Sequence, residues 1–253
     1  MDLPDEGRPA YSAGIMKGYG QFCPIAVACE TFAERWTPLI LRELLAGGRR
    51  FNEIRSGLPL ISRTLLGQRL RELEDAGIIE SERLPTGRGR EYRPTRAAHE
   101  FADVLARLGE WGQRWGTTQF DPENLDVKLL MWNVRRRIAL DRLPDRRVIV
   151  RFEFRAFPAR CRGFRTCWLI LERGGADVCL KDPGHDVDLV VSADVGAMAR
   201  VWTGHLTFAQ AQRSGRLRLT GRSDVVRAFP TWLLLSHFAH VARPGAVVAS
   251  PAE

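Results

Sequence analysis

The stretch Ile61–Ala76, which reads ISRTLLGQRLRELEDA, decides the fold of the first part of this chain. The hydroxyl of Ser62 can accept a hydrogen bond from the first-turn backbone N–H groups, and Gly77 is a natural left-handed stop. The stretch therefore predicts a single helix. The apolar face of that helix consists of leucines at helical spacing: Leu66, Leu70 and Leu73.

The opposite face of this helix carries side chains that can donate hydrogen bonds to phosphates or base edges. They are Arg63, Thr64, Gln68 and Arg71. Gly67 removes side-chain bulk in their midst, as in a helix that reads a major groove. An ordinary amphipathic surface helix has the same pattern, so the neighbouring segments must decide.

Composition restricts the class of protein and favours an anionic partner. The chain has 253 residues, is 45% hydrophobic and 27% charged, and has a formal net charge of +8. These values are normal for one large or two ordinary globular domains. The basic excess is mostly arginine, and no basic helix with a fully apolar face appears, so nucleic acid is favoured over a membrane surface.

The N-terminal segment and the cysteines favour a cytoplasmic protein. Residues 1–22 are polar and rich in glycine and proline, which predicts a flexible arm without the apolar core of a signal peptide. No apolar run reaches the length of a membrane span. The five cysteines lack zinc-type spacing and are expected to be reduced thiols, and no cofactor or metal site is predicted.

A short helix and a hairpin flank the central helix. Phe51–Leu58 predicts a helix that Pro59 ends, which completes a helix-turn-helix arrangement. Ile78–Leu84 and 91–93 then read as strands around a glycine-rich turn, and a hairpin in this position is a wing. Its arginines, Arg88 and Arg90, are expected to grip phosphate or enter a minor groove, although arginines also keep an exposed loop soluble.

A long helix follows the wing. Thr95 is expected to cap a helix that runs to about Trp115 and carries a broad apolar stripe. A small winged domain has little left to bury such a stripe, so a homodimer through this helix and the N-terminal one is predicted. Packing against the following domain is the alternative, and both arrangements can hold at once.

With these residues laid out, Cys23 to Trp115 resembles the HxlR-type family of bacterial winged-helix transcriptional regulators, relatives of the MarR-type regulators. The matching pieces are Cys23-Pro24, Trp36-Thr37, Leu39 to Leu44, Arg50 to Ile54, Ile61-Ser62, Leu66, Gln68 to Glu74, Gly77 to Ile79, Glu91-Tyr92, Pro94-Thr95 and Trp111-Gly112. The resemblance implies a sequence-specific, dimeric DNA-binding regulator that contacts double-stranded DNA. The departures are Ala33-Glu34-Arg35 in place of a usual Gly-Gly-Lys triplet, and the composition of the wing tip.

In several members of that family the cysteine that matches Cys23 senses oxidants or electrophiles. A thiol at a helix N-terminus has its thiolate favoured by the helix dipole, so the role is chemically consistent. Cysteine in apolar company is more often an inert core residue, and Ile25, Val27 and Cys29 are such company.

From residue 121 onward the pattern changes to strands mixed with helices. Strict alternation at 148–155, a hairpin around Gly174-Gly175 and a later strand at 216–220 predict an α+β domain with a mostly antiparallel sheet. Closing helices are predicted at Ser223–Phe229 and Trp232–Val241.

The glycine spacing and strand pattern of roughly Val127 to Val241 resemble the sterol carrier protein type of domain. That resemblance rests on Trp202, Gly204, Ala209, Ala211, Gly215, Leu217 and Gly221, and on the Asp188-Leu189 strand before them. It implies an apolar tunnel for a hydrophobic small-molecule effector. The candidate lining residues are Phe152, Phe154, Trp168, Trp202, Phe208 and Trp232. Ordinary core packing is the alternative for each of them.

The sequence offers no enzyme site, since no nucleophile elbow, phosphate loop or zinc ligand set appears in the right context. We therefore expect a flexible arm at 1–22, a winged helix-turn-helix domain at 23–120 and a sterol-carrier-like, ligand-binding α/β domain at 121–253. The predicted function is a ligand-responsive transcriptional regulator. A lipid or hydrophobic-ligand carrier whose winged domain serves protein contact is the alternative.

Overall fold

The computed structural model describes residues 18–85, 87–116, 120, 125–155 and 163–243. Most of the predicted N-terminal arm, residues 1–17, and the polar junction at 121–124 lie outside the described residues. Residues 18–22 belong to no helix or strand. Backbone contacts divide the chain into two compact units, the first ending at Leu108 and the second beginning at Gly109.

Four helices open the first unit. Their bounds are Pro24–Phe32 (α1), Thr37–Leu45 (α2), Phe51–Ser56 (α3) and Arg63–Asp75 (α4). The prediction for the central helix α4 is confirmed, because Ser62 is the residue before the helix and its Oγ accepts from Leu65 N at 3.1 Å. Gly77 follows with a φ of +68°, a left-handed conformation that glycine adopts without strain.

A two-stranded antiparallel hairpin and two helices follow α4. Their bounds are Ile79–Arg83 (β1), Arg90–Pro94 (β2), Arg96–Glu100 (α5) and Ala102–Trp115 (α6). The single helix predicted from Thr95 is wrong, since the chain breaks it into α5 and α6 at Phe101. Thr95 also does not cap α5 with its side chain, because its Oγ1 donates to the carbonyls of Gly77 and Ile78 at 2.9 and 2.8 Å. The hydroxyl thus ties the end of β2 to the end of α4.

The core of the first unit forms where the helices and the base of the hairpin meet. Its buried side chains come from α2, α3, α4, β1, α5 and the connection between α3 and α4: Ile40, Leu41, Leu44, Ile54, Leu58, Ile61, Leu66, Leu70, Leu73, Ile79 and Ala98. The rings of Phe32 in α1 and Phe101 stack, with centroids 3.6 Å apart. This core fixes α4 by its leucine face and leaves the opposite face outside.

The second unit is built on a five-stranded sheet in the order β5-β4-β3-β6-β7. The strands are Val148–Arg155 (β3), Thr166–Glu172 (β4), Gly175–Cys179 (β5), Leu189–Asp194 (β6) and Leu217–Gly221 (β7). The sheet is mixed, because the central pair β3 and β6 is parallel while the other three pairings are antiparallel. The prediction of a mostly antiparallel sheet did not include this central parallel pairing, which joins strands far apart in sequence.

Helices supply most of the remaining core of the second unit. They span Val127–Arg136 (α7), Val195–Trp202 (α8), Phe208–Arg213 (α9) and Ser223–Trp232 (α10). The capping box predicted for α9 is present, since Thr207 Oγ1 accepts from Gln210 N and Gln210 Oε1 accepts from Thr207 N. Fully buried residues of α7, α8 and α10 pack with one face of the sheet.

The helix predicted at Trp232–Val241 is wrong. Leu233 is extended and bridges Ile138, and Leu234 N donates to Arg137 O at 3.0 Å. Trp232 O accepts from Ala139 N at 2.8 Å. The segment therefore satisfies its backbone groups with the chain after α7 instead of within a helix of its own.

Candidate nucleic-acid interface

The outer face of α4 presents polar side chains to solvent. Its predicted DNA-contacting residues are all exposed: Ser62, Arg63, Thr64, Gln68 and Arg71. Their spacing places Thr64, Gln68 and Arg71 on one line along the helix. The side-chain amide of Gln68 donates to Glu72 Oε1 at 2.8 Å, a contact within the helix that an exposed side chain can exchange for another partner.

Gly67 lies in the middle of that face, and packing within the protein does not require a glycine there. An added Cβ would meet only Arg71 Nη1, at 3.7 Å, which is an ordinary contact distance. Glycine in a helix interior is about 1 kcal/mol less favourable than alanine. Gly67 therefore leaves the outer surface of α4 free of a side chain at this position, at some cost in helix stability.

The wing projects beyond the hairpin base. Gly87 and Gly89 have φ values of +70° and +98°, so the tight turn relies on glycine. Arg88 lies between them and is exposed, and no hydrogen bond or ion pair of this side chain is found among the described residues. Thr86, next to this turn, lies outside them.

Arg90 has a different environment from Arg88. It starts β2 and pairs with Arg83 in the ladder, on the side of the hairpin that also carries Ser81. Its guanidinium donates to Ser81 Oγ at 2.6 Å and to Glu74 Oε1, on α4, at 2.8 Å. The structure thus places Arg88 at the tip of the wing and turns Arg90 back toward the helix.

Sequence reasoning missed Glu74 and Ser81 as partners of the wing. Glu74 lies on α4 seven residues before Ser81, and Ser81 Oγ donates to its Oε1 at 2.6 Å. The alternation of side chains along β1 and β2 could have revealed this contact, because it places Ser81 and Arg90 on the same face of the hairpin.

Cys23 occupies the N-cap position of α1 and is partly exposed. The backbone N–H groups of Ala26 and Ile25, at the start of α1, lower the pKa of the Cys23 thiol. Cys167 of β4 is the opposite case, since burial raises the pKa of that thiol to about 12. Of the two, Cys23 is the one whose surroundings favour the thiolate.

Most of the aromatic residues predicted to line a ligand site meet in the core of the second unit. Phe152 packs on Phe154 and on Phe229, with centroids 5.9 and 6.2 Å apart. Phe208 and Trp232 both meet the Phe229 ring edge-on, at 6.3 and 6.2 Å. Phe229 of α10 is absent from the predicted set, yet its ring contacts three of the set's members.

Trp202 and Trp168 differ from that group. Trp202 is partly buried against the same core. Trp168 alternates along β4 with Cys167 and Leu169, which are fully buried, and therefore points to the other face of the sheet. It lies opposite Arg151 of β3 in the ladder. The structure thus separates Trp168 from the aromatic cluster.

Among the described residues, no helix combines the length and apolarity needed to cross a membrane. Within the same part of the chain, no three His, Cys, Asp or Glu residues come together in a way that would hold a metal ion.

Known proteins resemble this chain in its first half. Residues 31–120 match the family described as HxlR-like helix-turn-helix. The HTH-type transcriptional regulator YvaP of Bacillus subtilis is 34% identical over 108 residues, which are 96% of that protein and 42% of this chain. The chain belongs to the HxlR-like helix-turn-helix family.

Two further comparisons cover a similar share of the HxlR-like chain. An HTH-type transcriptional regulator of Methanothermobacter thermautotrophicus is 34% identical over 114 residues, 87% of that protein and 45% of this chain. A solved structure of the reduced form of the transcriptional regulator YodB from B. subtilis is 31% identical, with a TM-score of 0.34, and covers 38% of this chain and 97% of that one.

The HxlR-like match contains every predicted DNA-contacting residue of α4 and the wing. Cys23 precedes it, and the aromatic cluster of the second unit follows it. The family match therefore covers the candidate nucleic-acid interface and extends neither to Cys23 nor to the aromatic cluster.

Proposed function

We propose that this HxlR-like protein is a sequence-specific, DNA-binding transcriptional regulator that acts as a homodimer in the cytoplasm, and that it is not an enzyme. The observation that carries the proposal is the outer face of α4. It is polar, exposed and arginine-bearing, while the opposite face is locked in the core by Leu66, Leu70 and Leu73.

In this proposal α4 enters the major groove and reads bases. Arginine pairs bidentately with guanine and glutamine with adenine, so Arg63, Arg71 and Gln68 have the chemistry for direct readout. Thr64 and Ser62 reach phosphate or base edges at the helix N-terminus, where the backbone N–H groups also favour an anion. Gly67 lets the helix approach the DNA closely.

The wing supplies the second DNA contact. Arg88, exposed at the tip between two glycines, is placed to grip phosphate or an adjacent minor groove. A role for Arg90 in direct phosphate binding stays a prediction, because its guanidinium is engaged by Glu74 and Ser81.

The homodimer is supported by the apolar face of α6. Val104, Leu108, Trp111 and Trp115 follow one another at spacings of three and four residues, and each is more than half exposed. Phe22, just before α1, and Ile25 in its first turn are exposed as well. Contiguous exposed apolar side chains of this size mark an interface, and a two-fold dimer suits a two-fold operator.

The second unit is proposed to bind a hydrophobic small-molecule effector, as a sterol-carrier-like domain would. The cluster around Phe229 offers the apolar surroundings that such a ligand needs. Helix α6 starts in the first unit and ends in the second. A ligand that shifts this helix would change the spacing of paired recognition helices. Cys23, with its lowered pKa, is proposed as a separate redox input.

Binding to the DNA immediately upstream of the protein's own gene tests the regulator proposal. Arg63→Ala combined with Gln68→Ala is expected to weaken binding to this duplex by about a hundredfold, since each bidentate base contact contributes about 1–3 kcal/mol. Arg213→Ala with Gln212→Ala removes the same exposed residue types from α9 and serves as the matched control. If wild type and the α4 variant bind upstream and random DNA equally, the proposal fails.

The effector proposal has its own test. Native mass spectrometry of freshly purified protein is expected to show added mass from a bound apolar molecule, or uptake of a fluorescent fatty acid supplied as a probe. Protein that is empty and takes up no probe contradicts the effector role, and it leaves DNA binding untouched.

A further inference from the structure

The distal half of the wing depends on few contacts with the rest of the first unit. At the hairpin base, Tyr92 N donates to Arg49 O at 2.8 Å and Thr95 N donates to Ile78 O at 3.1 Å. Further along, Glu91 forms an isolated bridge with Arg50, and the tip itself is closed by backbone bonds within the hairpin, as from Leu84 N to Gly89 O. A two-stranded hairpin is marginally stable alone, so the direction of the tip needs an anchor.

The side chains of Glu74, Ser81 and Arg90 form one closed network on the inner face of the hairpin. Glu74 Oε1 accepts from both Ser81 Oγ and Arg90 Nη2, and Ser81 Oγ in turn accepts from Arg90 Nε. The three distances lie between 2.6 and 2.8 Å. Each of the three residues belongs to a different element, namely α4, β1 and β2. The network therefore joins both strands of the wing to the recognition helix.

Tyr92 lies beside this network. Burial raises the pKa of the Tyr92 hydroxyl, Arg90 and Arg71 act to lower it, and Glu74 acts to raise it. Its ring packs against the core of the first unit. Arg71, a predicted DNA contact of α4, and Arg90 thus approach the same tyrosine from the helix and from the wing.

The network is too exposed to be an important source of stability. The side chains of Arg90 and Glu74 are 45% and 30% exposed, and ion pairs in such positions contribute little to folding. The network instead fixes the direction of the wing relative to α4, because two partners hold the planar guanidinium of Arg90 at once.

We infer that Arg90 is a positioning residue, which acts through Glu74 and Ser81 to fix the angle between the wing and α4 so that α4 and Arg88 engage the same DNA site. The inference rests on the proposed function and deepens it. It gives the two wing arginines different roles, with Arg88 as a phosphate ligand and Arg90 as the anchor of the wing. It also gives an acidic residue of the recognition helix a favourable part in binding a polyanion.

Glu74→Ala gives the sharpest test, because charge and positioning predict opposite signs. Loss of a negative charge near DNA by itself strengthens binding. If Glu74 positions the wing, its loss weakens binding to the upstream duplex, by about tenfold for coupled neighbours of this kind. Asp75→Ala, at the adjacent exposed position of α4, removes the same charge and is expected to bind at least as tightly as wild type.

The salt dependence of DNA binding distinguishes the role of Arg88 from that of Arg90. Loss of a phosphate ligand reduces the slope of log affinity against log salt by about one, so Arg88→Ala is expected to do this. Arg90→Ala is expected to weaken binding about tenfold with an unchanged slope, and to lower the preference for upstream over random DNA. The Glu74→Ala/Arg90→Ala double variant is expected to bind no more weakly than either single variant, because both act through one contact.

A DNA-free measurement keeps this inference distinct from the proposed function. Amide hydrogen exchange across residues 81–92 is expected to be faster in Glu74→Ala than in wild type, and unchanged in Asp75→Ala. Unchanged exchange in Glu74→Ala overturns the positioning role. So does a slope lowered by about one in Arg90→Ala with Glu74→Ala binding like Asp75→Ala, which would make Arg90 a phosphate ligand. Wild type that binds upstream and random DNA equally overturns the proposed function instead.

Discussion

The guanidinium of Arg69 on α4 joins Glu34, which lies in the connection between α1 and α2. Arg69 also donates to Glu72 one turn along its own helix at 2.6 Å, and its side chain is only 14% exposed. Glu34 stands in the Ala33-Glu34-Arg35 segment. Its ion pair with Arg69 fixes α4 to the N-terminal part of the unit.

Replacing Arg69 is expected to destabilise the first unit. Arg69→Ala removes hydrogen bonds between a largely buried cation and two carboxylates, so the free energy of unfolding should fall by about 1–2 kcal/mol. Urea denaturation measures this change. Arg71→Ala, an exposed arginine on the same helix, should change the free energy of unfolding by less than about 0.5 kcal/mol. Equal effects of the two variants would contradict the anchoring role of Arg69.

The exposed face of α6 predicts which substitution disrupts the proposed homodimer. Leu108→Arg puts a charge in the middle of that face and should weaken self-association about a hundredfold or more, which is the scale of a central interface residue. Sedimentation equilibrium measures the mass in solution. Ala106→Arg introduces the same side chain at another exposed position of α6 and should leave the dimer intact. A wild-type mass of one chain would refute the homodimer.

Helix α4 was predictable because the signals that specify it are local. Ser62, the leucine spacing and Gly77 each act within a few residues, and the structure keeps all of them. The break between α5 and α6 at Phe101 was harder to predict. Thr95, before α5, uses its side chain to bond to carbonyls at the end of α4 instead of capping a helix. The parallel pairing of β3 with β6 was also hidden, because it joins strands about forty residues apart and no turn specifies it.

The candidate sites were predictable as residue types, but their partners were not. The exposed residues of α4 lie where the helical period places them. Arg88 and Arg90 look alike in the sequence, and the ladder register that turns Arg90 toward Glu74 separates them. Residue type alone groups Trp168 with Phe152, although strand alternation already assigns Trp168 to the other face of the sheet. The residue types in the sequence indicated what each side chain could bind. Which side chains lie together could be known only from the register of the strands.

The cysteines are expected to react in an order set by their environments. Cys23, whose pKa is lowered by backbone N–H donors, should be alkylated by iodoacetamide early at pH 7.5. Cys167, with a pKa of about 12, has a thiolate fraction lower on the order of a thousandfold than an ordinary thiol, and should react only after unfolding. Peptide mass spectrometry follows each site. Slow alkylation at Cys23, with the rate of an ordinary thiol, would remove the basis for a redox role.

Mild acid is expected to destabilise the second unit through His205. Burial, together with the charges of Arg243 and Arg200, lowers the pKa of this histidine, while its Nδ1 lies 2.8 Å from Thr203 Oγ1. Because the folded-state pKa is below the unfolded value of about 6.5, the unfolded chain takes up a proton before the folded chain does. The stability that the neutral ring contributes is therefore fully present above the unfolded-state pKa. It is lost as the pH falls through the folded-state pKa.

The measurement is the free energy of unfolding of the second unit between pH 8 and pH 5. His205→Gln keeps a neutral hydrogen-bonding side chain and should flatten the decline below about pH 6.5. His237 has a pKa lowered by burial and by Arg137, so part of the decline should persist until His237→Gln is added. A decline that is equally steep in wild type and in the double variant would show that the acid sensitivity arises elsewhere.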